Sequence, residues 1–171
     1  MIKLMKPSIE YADEIMNFRQ ELLDTESNFA GCGSLYNCES AEDWINYVET
    51  NEVTCKEGSV TSNSYIAIRL SDNKVVGIID LRHHINHPIL SVWGGHIGYT
   101  VRPSERRKGY AKEMLKQNLI NCRNRGLDKV LIVCDSDNIA SEKTIIANGG
   151  IFEKEICVDN NTMKRFWINL Y

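Results

Sequence analysis

Between His96 and Cys134 the chain passes from a short strand into a basic, glycine-bearing turn, then a long helical stretch, then a second strand. Residues 96–101 have strand character, and Pro103 stops them because it cannot donate to a ladder. A helix fits 106–125, with Gly126 at the position that favours left-handed backbone just past a helix C-terminus. Residues 129–134 (KVLIVC) are continuously apolar, as a strand buried on both faces requires. This order demands a sheet with a helix packed on it, the helix serving as a right-handed crossover.

The flanking segments extend the pattern. Residues 1–5 read as a strand, and Pro7-Ser8 opens a helix on which Tyr11, Ile15, Phe18 and Leu22 recur at helical spacing. A polar stretch from Thr25 to Glu39 follows, and Ser40 with Asp43 forms a capping signal for a second helix through Trp44 and Val48. Residues 64–70 and 75–83 are rich in Ile and Val around a Ser71-Asp72-Asn73 turn, which predicts a hairpin. A loop around Pro88 and Gly94-Gly95 leads to the strand at His96. Asp137 or Asn138 caps a helix ending at Gly149-Gly150, and two strands, 151–158 and 162–168, close the chain around Asp159-Asn160-Asn161. The expected order is β-α-α-β-β-β-α-β-α-β-β, a mixed α/β sheet in one domain over residues 1–171.

The formal net charge of −3 argues against a basic nucleic-acid binder, and no apolar run approaches a spanning helix. The N-terminal residues turn polar too soon for a signal peptide, so a cytoplasmic protein is expected. The six cysteines include no C-x2-C pair, which points to free thiols and no metal site.

Against that acidic background, Arg102, Arg106, Arg107, Lys108 and Lys112 face only Glu105, a local charge of +4 over eleven residues. Arg and Lys are disfavoured at a helix N-terminus, so an anion held there would resolve the conflict. Gly109 removes a Cβ where a ligand must approach the backbone. The chain lacks G-x-x-x-x-G-K-[ST] and G-x-G-x-x-G, which excludes a P-loop and a dinucleotide fingerprint.

Arg106-Arg107-Lys108-Gly109-Tyr110-Ala111 resembles the [QR]-x-x-G-x-[GA] signature of the GNAT superfamily of N-acetyltransferases. Ile97-Gly98-Tyr99-Thr100-Val101-x-Pro103 looks like its central strand, and Asn138-x-x-Ser141 followed by Gly149 looks like its second cofactor-facing segment. The hairpin region DLRHHINHPIL is similar to a bacterial branch of acetyltransferases with no assigned substrate. The resemblance implies a GNAT-like fold, with a mainly antiparallel central sheet of about seven strands and helices on both faces. It implies acetyl-CoA (coenzyme A) as cosubstrate and no metal. The amides of Arg106, Arg107, Lys108, Gly109, Tyr110 and Ala111 would cradle its pyrophosphate. Tyr99, Thr100 and Val101 would pair with the pantetheine arm, and Asn138 and Ser141 would face it. Two positions depart from the family: Ile145 stands where many members have a Tyr acid, and Gly150 where Phe is usual.

Acetyl transfer to an amine calls for a base, an oxyanion donor and a route for the leaving thiolate. All four histidines fall between His83 and His96. His96 replaces a base-like Glu of the family strand and is the first candidate base or water relay, against a structural histidine beside two glycines. His84 is the second candidate, sharing a face with Asp80 and Arg82, which otherwise read as an ion-paired strand surface. Tyr99 is the candidate acid. Cys134 reads as a small buried hydrophobe rather than an acyl carrier. The 25–39 segment, with Ser27, Asn28, Ser34, Tyr36 and Asn37, falls where the family gates its substrate. The acceptor expected is an amine-bearing small molecule or amino acid, with no nucleic-acid or membrane partner, and a homodimer stays open. A catalytically silent acyl-CoA-binding module is the competing reading.

Overall fold

The computed structural model describes residues 1–171. Strand β1 (Ile2–Met5) leads through a 3-10 turn (Ile9–Tyr11) into α1 (Ala12–Asp24), whose Ile15, Phe18 and Leu22 are buried. Helix α2 (Ala41–Asn51) starts where the capping signal placed it, with Ser40 Oγ accepting the Asp43 N–H at 3.1 Å. The hairpin forms from β2 (Ser62–Arg69) and β3 (Lys74–Arg82).

Alternating residues of β2 and β3 feed two cores on opposite faces. Ile66, Ile68, Val75 and Ile78 pack with the apolar sides of α1 and α2. Ala67, Val76, Ile79 and Leu81 face Met114, Leu115, Leu119 and Cys122 of α3 (Tyr110–Asn124). Strand alternation, shifted by one residue at a bulge opposite Ala67 and Ile68, therefore gives one sheet two buried faces, with a helical layer on each.

Strands β1, β2, β3 and β4 (Tyr99–Val101) form one antiparallel sheet in that order. A second sheet has the order β5 (Lys129–Asp135), β7 (Asn161–Asn169), β6 (Ile151–Val158). The seven strands thus divide into two sheets with no ladder between β4 and β5. Helix α4 (Ile139–Ala147) follows β5, with Asn138 Oδ1 capping the Ser141 N–H at 3.1 Å. The β6–β7 turn places Asp159 and Asn160 at φ 49° and 64°, the left-handed pair a tight hairpin needs.

Three expectations shift. The strand expected over 96–101 narrows to Tyr99–Val101, because the residues before it bond in two directions. Helix α3 begins at Tyr110 rather than 106, since left-handed backbone at Arg107 and Gly109 keeps 106–109 out of a helix. The segment before the central strand contains a π-helical turn, Leu90–Gly94, where a plain loop is expected.

Candidate active site

The two sheets meet at His96. Its backbone N–H donates to the Leu131 carbonyl at 2.8 Å, and its Nδ1 accepts the Leu131 N–H at 2.9 Å. On the other side, the His96 carbonyl accepts the Arg82 N–H at 2.8 Å. Past this point β4 and β5 separate, and a cleft of about 880 Å³ opens between them. Gly95, at φ 68°, runs so close to β5 that a Cβ there would lie 2.7 Å from the Leu131 carbonyl oxygen.

Main-chain direction along β4 alternates. The Asp80 N–H bonds to the Gly98 carbonyl and the Arg102 N–H to the Val76 carbonyl, so residues 98, 100 and 102 address β3. Tyr99 and Val101 therefore turn their peptide groups to the cleft edge, where an extended ligand can pair with them as a strand would.

At one end of the cleft lies the start of α3. The Glu113 N–H is the first to bond back, to the Gly109 carbonyl at 3.3 Å. Gly109 caps the helix with no side chain, so the N–H groups of Tyr110, Ala111 and Lys112 have no intrahelical acceptor. All three residues line the cleft. A Cβ built on Gly109 meets nothing within 4 Å, leaving the backbone open to a bulky anion. Uncapped donors, a positive dipole end and nearby arginines fit a pyrophosphate.

The basic segment divides. Arg106, Arg107 and Lys112 line the cleft. Arg102 is buried and pairs with Glu14 at 3.0 Å and Glu21 at 2.7 Å. Lys108, expected among the cofactor residues, instead reaches Glu105 at 2.7 Å. Buried Glu105 also takes Arg69 at 2.8 Å and Lys74 at 2.9 Å, and Lys108 first, then Lys74 and Arg69, pull its carboxyl down to about 2. Only part of the local charge is free for a ligand; the rest anchors the loop.

Midway along the cleft two hydroxyls meet. Tyr99 Oη lies 2.6 Å from Ser141 Oγ, joining β4 to the first turn of α4. Burial pushes the Tyr99 phenol up to about 12, so it stays protonated at any working pH. Cys134 lies beside the pair, and burial raises its thiol to about 11, which removes the thiolate a nucleophile needs. Ile145, at the position where many family members carry an acid, is fully buried in the core.

The histidines do not gather in the cleft. His96 is buried behind its apex and does not line it. With Nδ1 accepting the Leu131 N–H, the neutral ring carries its proton on Nε2 and has no free acceptor for a substrate proton. Burial, then the positive charge of Arg82, lowers its pKa to about 4. The place expected for a base is thus occupied by a strand clamp. His84 is exposed beyond the end of β3, its Nδ1 accepting the Asn86 N–H at 3.2 Å, and lines no cavity near the cleft. His83 is held between Thr61 and Asn63, each at 2.7 Å. His87 supports the π-helical turn by accepting from Ile89 and Leu90.

Of the remaining sequence candidates, Tyr99, Thr100, Val101, Asn138 and Ser141 all line the cleft. Trp93, and Arg82 of the expected strand-surface pair, line it too. For Arg82 a signal existed: Asp80, two residues before it, is a charge inside the apolar run of β3, where a surface residue has no reason to be.

A long cleft between two parting strands, headed by an uncapped helix start, suits an extended ligand with phosphates at one end. The chain belongs to the acetyltransferase (GNAT) domain family, whose model matches residues 2–150. It is an acetyl-CoA-dependent acyltransferase. No match arises among curated proteins compared by sequence. Solved structures share the fold. The ribosomal L7/L12 alpha-N-protein acetyltransferase RimL, in complex with coenzyme A, is similar at TM-score 0.67 and 17% identity, covering 98% of this chain and 93% of that one. The microcin C7 self-immunity acetyltransferase MccE, in complex with acetyl-CoA and AMP, gives 0.65 and 14%, covering 98% and 92%. An N-acetyltransferase from Staphylococcus aureus Mu50 gives 0.66 and 16%, covering 100% and 98%.

Proposed function

We propose that the protein transfers the acetyl group of acetyl-CoA directly to a primary amine of a small molecule or amino acid. The observation that carries this reading is the Tyr99–Ser141 hydroxyl pair, at 2.6 Å, inside the cleft between the parted strands. A thioester laid along β4 would bring its carbonyl oxygen to the cleft-facing N–H of the central strand, the donor that stabilises a tetrahedral oxyanion. Its sulfur would leave beside the two hydroxyls.

A free thiol has a pKa near ~8.5, several units below the Tyr99 phenol. Tyr99 therefore serves the departing thiolate as a hydrogen-bond donor rather than by complete proton transfer. The Ser141 hydroxyl completes the relay, and the vacancy at Ile145 is made good from β4. Direct attack is favoured over an acyl-cysteine because the Cys134 thiol is held protonated. Arg106, Arg107 and Lys112, with the amides of Tyr110 and Ala111, would hold the cofactor phosphates.

The test is thiol release from acetyl-CoA with a panel of alkylamines, arylalkylamines, polyamines and L-amino acids. Thiol release that requires an amine supports the reading. Coenzyme A binding without release from any amine overturns it in favour of a silent binding module.

A further inference from the structure

A second cavity, about 390 Å³, lies on the α1–α2 face of the sheet. Phe29, Tyr47, Asn51 and Ser62 line it, with Asp80 and Arg82 at its floor. Ala30 and Arg82 line both this cavity and the cleft, so the two adjoin at these residues. The 30–31 segment beside them lies against the central strand. Thr100 Oγ1 donates to the Ala30 carbonyl at 2.6 Å, and a Cβ on Gly31 would collide with the Gly98 carbonyl.

Asp80 is the unexplained group. It is 6% exposed, and burial raises its carboxyl above the usual carboxylate range. Its Oδ1 accepts the Gly98 N–H at 2.6 Å, replacing the carbonyl that a regular ladder would use. The displaced Asp80 carbonyl takes the Asn118 Nδ2 at 2.9 Å instead. The strand is thus distorted to set a carboxylate beside the residue that precedes Tyr99. One cation attends it: Arg82 Nη2 at 3.2 Å, whose Nη1 is already committed to the Gly94 and Gly95 carbonyls. A buried, singly paired carboxylate is expensive to keep for stability alone. Nothing in the acyl-donor cleft uses it.

We infer that this cavity is the acceptor pocket, that it takes a small ammonium-bearing molecule, and that Asp80 holds the ammonium and receives its proton. The inference rests on the amine-transfer reading above and names the acceptor half of that site. The volume suits a compact ligand, and the lining includes two aromatic residues, Phe29 and Tyr47, of the kind that attract a cation. One ammonium proton passes to the Asp80 carboxylate. The nitrogen lone pair then attacks the thioester carbonyl, forming the C–N bond. The C–S bond breaks with its electron pair on sulfur, giving the amide, and the thiolate is stabilised by the Tyr99 and Ser141 hydroxyls. The nitrogen loses its second proton to solvent, the departed thiolate takes one from solvent, and Asp80 returns its own to solvent, so that ammonium plus acetyl-CoA yields amide, coenzyme A and one proton.

Two variants test this. D80N keeps an oxygen for the Gly98 N–H and removes the charge; S59W, on an exposed loop residue at the rim, narrows the cavity without altering any strand residue. With the best amine of the panel, D80N is expected to lower kcat/KM about 100-fold while the acetyl-CoA Kd stays within about twofold. S59W is expected to raise the acceptor KM with the same Kd. D80N activity within about threefold of the parent overturns the role of Asp80, and an unchanged KM in S59W overturns the pocket. If D80N does not fold, S59W decides. Titrating the panel amines into the coenzyme A-loaded protein gives a readout independent of turnover, the Gly98 amide resonance. A shift present in the parent and absent in D80N supports the inference even without thiol release, in which case only the transfer reading fails. No Gly98 shift with any amine overturns the inference.

Discussion

His96 grips Leu131 twice, through its backbone N–H at 2.8 Å and its Nδ1 at 2.9 Å, and this is where the two sheets join before the cleft opens. The ring is neutral in the folded state, with a pKa lowered to about 4 by burial. In the unfolded chain it titrates near ~6.5, so between these values the unfolded state binds more protons. The stability this site contributes is complete above the unfolded pKa and is lost as pH falls toward the folded one. Acidification from about pH 7 to about pH 5 should cost roughly 2 kcal/mol from this one site. Denaturant unfolding at the two pH values should show that loss in the parent and a smaller one in H96Q. An equal loss in both would remove His96 as the source.

The split of the basic segment predicts two classes of variant. R107A removes a cation lining the cleft and should weaken coenzyme A binding by about 1–3 kcal/mol, the range of a charge-assisted hydrogen bond. K108A removes one of three cations from Glu105 and should leave coenzyme A affinity nearly unchanged. Lys108 is half exposed, so its pair contributes at most about 1 kcal/mol to stability. Calorimetric titration of both variants separates the two roles, and equal losses of affinity would contradict the division.

The hydroxyl pair predicts a rate effect without a binding effect. Y99F keeps the ring that packs against the core and deletes only the group 2.6 Å from Ser141. Loss of one hydrogen bond made to developing charge is expected to lower kcat about tenfold, with the acetyl-CoA Kd unchanged. S141A should do the same, and the double variant should lose less than the product of the two because the hydroxyls act as a chain. Full additivity, measured by thiol release, would show that they act separately.

The element order was readable because each element carries its own period or cap. Ile15, Phe18 and Leu22 mark one helix face, and Ser40 and Asn138 cap where their residue types say they should. The end of the cleft at the start of α3 is legible for the same reason, being a contiguous stretch from Arg106 to Lys112. The rest depends on pairs far apart in the chain. Nothing local distinguishes a histidine that serves a substrate from one whose Nδ1 meets a backbone N–H 35 residues later. The pairing of Lys108 with Glu105 at 2.7 Å does not show in a sum of charge along the segment. Asp80 and Arg82 looked like a surface pair until the 25–39 segment closed over them.

The π-helical turn, Leu90–Gly94, has exposed Val92 and Trp93 and no buried residue of its own, so its position must come from its neighbours. Arg165 supplies much of it. The guanidinium is buried, donating through Nη1 to the Ser91 carbonyl at 2.7 Å and the Val92 carbonyl at 2.6 Å, while Nε meets Glu153 at 2.6 Å. Arg82 holds the other end through the Gly94 and Gly95 carbonyls. R165M fills a similar volume with no donors, leaving two carbonyls and Glu153 without their partner, a change expected to cost about 2–4 kcal/mol. Freed at one end, the turn should move Trp93 further into water, since it already lines the edge of the cleft. Emission from Trp93, isolated by replacing Trp44 and Trp167 with Phe in both backgrounds, should shift to longer wavelength in R165M. Coenzyme A affinity should fall less than in R107A, because the phosphate end of the cleft does not touch Arg165. An unshifted emission would mean that Arg82 and His87 fix the turn without Arg165.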